Sequence, residues 1–123
     1  MGTIMRSQTA QRSYGQSAVT DTQWQNLIAL ADLEPNDATP VSHQGKSLAV
    51  YDTRNGITVS DARCPHAGAD LCDGYFDGEN IECPLHQGLF DATSGAAKAA
   101  PATRPLRMIV CRVHNDIVQI RKR

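Results

Sequence analysis

The sequence predicts an all-β domain, built mainly from antiparallel strands closed into a small sandwich or barrel. Short runs rich in Val, Ile, Thr and Tyr recur along it, each bounded by Gly, Pro, Asn or Asp. Asn55 and Gly56 stand between two such runs, and this pair signals a hairpin because both residues tolerate positive φ. No stretch carries long helical periodicity, and no repeat is visible. A chain of 123 residues suits one domain with one modest core.

Residues 1–20 are rich in Ser, Thr, Gln and Gly and hold little to bury, so they are expected to form a flexible leader to a single domain over 21–123. Arg6 and Arg12 are followed by no continuous apolar segment, which argues against a secretory signal and for a cytoplasmic protein. Order is expected from Trp24, a candidate core anchor, in "TQWQNLIALADL", which fits a short helix or a strand. "PVSHQ" and "KSLAVYD" read as strands on either side of Gly45, and "ITVSD" as the strand after Asn55-Gly56. "GLFDATSGAAKAAPATRPL" reads as turn and loop, broken by Pro101 and Pro105. "RMIVCRV" and "DIVQIRK" then form a hairpin around "HND", with Cys111 a small hydrophobe in the sheet.

Composition removes several function classes. The net charge is −1, and no basic patch is interleaved with aromatic residues, so nothing supports nucleic-acid binding. No apolar run approaches the length that spans a bilayer. No G-x-G-x-x-G fingerprint is present. Four cysteines are too few for a disulfide scaffold at this length, and in a reducing compartment they more often bind metal or stay free.

The chemistry is concentrated in "CPHAGADLCDGYFDGENIECPLHQG", which holds three of the four cysteines and two of the four histidines. Cys64, His66, Cys83 and His86 are the candidate ligands, and thiolate with imidazole suits zinc or iron–sulfur chemistry. A structural zinc site of two cysteines and two histidines normally groups a Cys pair and then a His pair. Here each loop supplies one of each. That interleaving suits a site with two metal centres, with zinc the alternative. Cys72, Cys111, His43 and His114 are read as a free thiol, a sheet residue and two surface histidines.

The pattern C-P-H-x16-C-P-L-H, with "DGYFDGENIECPLHQGLFD" and "PATRPLR" around it, resembles the Rieske iron–sulfur signature. The similarity covers roughly residues 24–121 and is to the small Rieske ferredoxins of bacterial aromatic-ring dioxygenase systems. The resemblance implies a Rieske fold: an antiparallel β-sandwich base with a small, three-stranded cluster-binding subdomain, the cluster loops lying at about 63–90. It implies one [2Fe-2S] cluster, with Cys64 and Cys83 on one iron and His66 and His86 on the other. Gly68 and Gly88 would let the backbone approach the sulfides, Pro65 and Pro84 would stiffen the loops, and Pro101 would lie in a third loop over the cluster. The implied role is that of a monomeric electron carrier, not an enzyme. It would shuttle single electrons from an NAD(P)H-dependent flavoprotein reductase to a terminal oxygenase, both docking near His66 and His86. The resembling alternative is a small nitrite-reductase subunit, which usually lacks a complete ligand set. Respiratory Rieske proteins place sulfur-donating hydroxyls where this chain has Gly88 and Phe90, and a cysteine where it has Leu85. Those departures imply a low-potential cluster. An acidic run, Asp70, Asp73, Asp77, Glu79, Glu82 and Asp91, is expected to form a docking face.

Overall fold

The structure, a computed structural model, describes residues 23–65, 68–85 and 87–121. The expected leader, His66 and His86 lie outside the described residues. Among the described residues eleven strands appear in chain order: β1 Trp24–Ala29, β2 Thr39–His43, β3 Lys46–Thr53, β4 Gly56–Asp61, β5 Tyr75–Phe76, β6 Asn80–Glu82, β7 Leu89–Asp91, β8 Ala97–Ala99, β9 Met108–Ile109, β10 Cys111–His114 and β11 Ile117–Arg121. Short 3-10 turns follow β1 at Leu30–Asp32 and precede β5 at Leu71–Asp73. The all-β expectation holds, and "TQWQNLIALADL" resolves as a strand and then one tight turn.

The strands form three antiparallel sheets, ordered β1-β11-β10, β2-β3-β4-β9 and β5-β6-β7-β8. The second sheet is the centre of the molecule because β3 is covered on both faces. Its Leu48 and Val50 pack with Val59, Val118 and Ile120 against the first sheet. Ala49 and Tyr51, one pleat over, pack with Phe76, Ile81 and Phe90 of the third. A strand half exposed would alternate apolar and polar residues; one buried on both faces reads as the continuous apolar run "LAVY". Tyr51 brings a hydroxyl into this core, satisfied by Ser60 Oγ at 2.9 Å.

Two local expectations need correction. The small sheet has four strands, not three, and two of them, β7 and β8, fall in the stretch read as loop. They are three residues each and Ala-rich at β8, too short to show a period. Trp24 is not a core anchor. It is half-buried beneath the Arg112 guanidinium, 4.5 Å from the ring centre. Among the described residues no helix is long and apolar enough to cross a membrane.

The third sheet and its loops are inserted between β4 and β9. The two crossing strands are tied together where they leave the base, Asp61 N–H donating to the Arg107 carbonyl at 3.0 Å.

Candidate metal centre

One loop lies between β4 and β5 and a second joins β6 to β7, and their backbones follow the same plan. In the first, Cys64 N–H donates to the Ala69 carbonyl at 2.8 Å, and the loop is closed below by an Arg63–Asp70 bridge. In the second, Cys83 N–H donates to the Gly88 carbonyl at 2.8 Å, continuing the β6–β7 ladder. Each cysteine is followed by a proline, and the residue before each closing carbonyl has positive φ: Gly68 at 72° and Gln87 at 61°. Pro cannot donate and fixes its own φ, so the chain leaves the sheet sharply after each cysteine. The left-handed residue then turns it back.

This symmetry brings the two thiols together. Cys64 and Cys83 are each 1% exposed and belong to one core cluster with Leu71, Phe76, Ile81 and Phe90. Burial pushes the Cys83 thiol up from its ordinary range; the Leu85 N–H directed at its sulfur opposes the rise, and the hydrogen-bonded Cys64 thiol adds to it. The Cys83 thiol in this apolar pocket is a poor isolated anion. A bound cation reverses that preference, because metal coordination deprotonates thiols. The pocket therefore fits a thiolate-held metal group.

The two glycines expected to admit the backbone to sulfide act differently from each other. A Cβ on Gly68 would meet nothing within 4 Å, so glycine serves the left-handed φ there. A Cβ on Gly88 would lie 3.1 Å from the Ala102 Cβ and 3.2 Å from its N, so glycine serves close packing of the second loop on a third segment. That segment contains the cis Ala100–Pro101 bond. It also reaches the first loop: Arg104 Nη2 donates to the Pro65 carbonyl at 2.8 Å. Pro101 is the residue of this segment that the sequence marks. Ala102 and Arg104 carry no local signal, because their partners lie far away along the chain.

All four cysteines are free; Cys72 packs against the core cluster that holds Cys64 and Cys83, and Cys111 against the other cluster. The Cys111 thiol donates to the Ile57 carbonyl at 3.5 Å. His43 shares a 3.0 Å hydrogen bond with the Gln25 side-chain oxygen, and His114 is exposed at the end of β10. Among the described residues no three His, Cys, Asp or Glu side chains gather into a metal-holding group.

Several acids of the run have local partners. The Asp77 carboxylate accepts N–H bonds from Glu79 and Asn80, and Asp91 does the same for Thr93 and Ser94. Asp70 accepts from Cys72 N–H, and Glu79 pairs with Arg54 at 3.5 Å. Three of the six acids, Asp70, Asp77 and Asp91, shape turns.

A model of the Rieske [2Fe-2S] domain matches residues 23–115. The ferredoxin component of the naphthalene 1,2-dioxygenase system of Pseudomonas putida is 39% identical over 97 residues, covering 79% of this chain and 93% of the relative. The solved ferredoxin of Sphingomonas yanoikuyae B1 superposes with a TM-score of 0.75 at 35% identity, covering 80% of this chain and 98% of that one. The ferredoxin solved with its oxygenase in carbazole 1,9a-dioxygenase gives 0.73 at 31% identity, covering 80% and 93%.

Proposed function

The chain belongs to the Rieske [2Fe-2S] domain family, and on that premise we propose that Cys64 and Cys83 hold one iron of its cluster through thiolates and His66 and His86 the other through imidazoles. The protein is a ferredoxin component of an aromatic-ring dioxygenase system, passing single electrons to a terminal oxygenase. It catalyses no step of its own. Its electron source is a flavoprotein reductase, and both partners dock at the loop tips that carry His66 and His86 in sequence.

One observation carries the ligand assignment: two matching loops deliver two buried thiols to one apolar pocket. The cluster, when bound, supplies a one-electron couple. The chain's residues set its surroundings. The core beneath Cys64 and Cys83 keeps water from the thiolate side. Pro65 and Pro84 limit loop movement when charge changes. Phe90, fully buried, offers no hydroxyl to a cysteine sulfur. The potential therefore belongs near the low end of the Rieske range, about −150 mV. The motif C-x-H…C-x2-H is complete, which favours the ferredoxin over the nitrite-reductase subunit.

Assembly of the protein with iron and sulfide tests the assignment. The oxidised product should be red-brown. Cys83→Ala should bind no cluster, whereas Cys72→Ala and Cys111→Ala should keep it. A colourless zinc protein, or loss of colour in Cys72→Ala, would overturn the ligand set.

A further inference from the structure

The geometry points to Arg104 as a positioning residue for the cluster: its guanidinium clamps the first ligand loop to the third segment and places a fixed positive charge beside it. The inference rests on the ligand assignment above and goes beyond it.

The first loop needs an outside support that the second already has. Gly88 of the second loop is packed against Ala102. Gly68 of the first has open space where a Cβ would stand. The first loop uses its Cys64 and Gly68 N–H groups internally, donating to the Ala69 and Cys64 carbonyls. The Pro65 carbonyl accepts Arg104 Nη2 at 2.8 Å, and this bond joins the loop to a segment 39 residues away in sequence.

Arg104 is exposed, yet its backbone is not free to wander. Ala102 on one side is 7% exposed and Leu106 on the other 4%. Ala102 N–H donates to Ala99, and Leu106 N–H to Gly95. The side chain is thus hung from a strap anchored at both ends. Guanidinium keeps its charge at every accessible pH, and a charged donor makes the stronger hydrogen bond to a carbonyl. Pro65 stands between one thiolate ligand and one imidazole ligand in the sequence. A cation bonded to it therefore favours the state with one more electron. Because the group is exposed, salt should weaken that effect.

Three substitutions separate charge from clamp. Arg104→Lys keeps the charge, Arg104→Gln keeps a donor without charge, and Arg104→Met keeps neither. The parent's visible spectrum reports on the ligand assignment alone; differences among holoproteins report on Arg104. Film voltammetry at low salt should place Gln and Met below the parent in midpoint potential and Lys close to it, the gap shrinking as salt rises. Bleaching of the visible bands under chelator should be about fivefold faster in Met, the factor expected for one lost hydrogen bond. A Gln variant with the parent's potential at low salt, or a Lys variant that falls as far as Gln, would overturn the charge role. Met bleaching at the parent's rate would overturn the clamp.

Discussion

Cys72 shows how environment separates one cysteine from another. It lies between Cys64 and Cys83 in sequence, but its thiol is pushed up to about 12, first by burial and then by the Asp70 carboxylate. Only the thiolate is a nucleophile, so Cys72 should resist iodoacetamide at neutral pH. Mass spectrometry of the holoprotein should show its labelling rate still climbing past pH 11. A plateau near pH 9 would mean that Asp70 and burial are not felt. The sign for stability follows. The folded thiol keeps its proton to higher pH than the unfolded one, so this group's contribution is full below about pH 9 and is lost as pH rises through about 12. The proposed ligands Cys64, His66, Cys83 and His86 stand out in the sequence because Cys, His and Pro at fixed spacing have few other uses; the structure brings Cys64 and Cys83 into one core cluster, and the two histidines lie outside the described residues. Arg104 was not, because a guanidinium in a loop says nothing locally about which carbonyl it will meet. The glycines were legible only as glycines. Gly68 supplies a φ and Gly88 supplies room, and that difference is set by the neighbours, not the residue type.

At the scale of elements, the hairpins were visible and their turn details were not. The β3–β4 hairpin occurs as expected, but Arg54 and Asn55 form its loop, and Gly56, at φ 119°, opens the next strand. Paired positive φ falls instead on Gln44 and Gly45, at 52° and 81°, between β2 and β3, and on Asn115 and Asp116, at 53° and 63°, between β10 and β11. This is the mirror-image turn that suits the twist of a two-residue hairpin. Asp116→Gly should therefore stabilise the protein by about 0.5–1 kcal/mol, since a side chain in the left-handed region is strained and glycine is not. A thermal melt of the holoprotein checks it, and an unchanged or lower midpoint would count against the turn geometry. "RMIVCRV" also reads as one strand because its residues are uniformly β-prone. It is two, with β9 paired to β4, β10 paired to β11, and Val110 between them. Only the partner strands decide where such a run breaks.

For the whole molecule, the fold class was legible from periodicity and turns, but the three-layer arrangement was not. It depends on which strand is covered twice, and "LAVY" would also suit a buried helix segment. Charge behaves similarly. The acids form a run in sequence, but Asp70, Asp77 and Asp91 are tied into turns, with exposed Arg63 and Arg104 beside the first loop. Asp70 and Asp73 are exposed next to that loop and are the acids best placed to meet a partner. Asp70→Asn with Asp73→Asn should flatten the fall in partner reduction rate as salt rises, and leave the rate at high salt unchanged. Stopped-flow reduction across a salt series measures both. A double variant with the parent's full salt slope would show that neither acid guides docking.

The tie between Asp61 and Arg107 has a consequence for transplantation. The whole metal-bearing unit enters and leaves through two adjacent antiparallel strands, so a graft into another protein needs only one hairpin opened at its turn. The host cannot be arbitrary. The unit's underside is built to sit on Ala49 and Tyr51, a small residue beside a large ring, with Tyr51 and Phe76 ring centres 5.5 Å apart. A recipient sheet lacking that relief would leave Phe76, Ile81 and Phe90 wet, and the graft would aggregate or melt before it could bind iron. Portability here is limited by the seat, not by the ends.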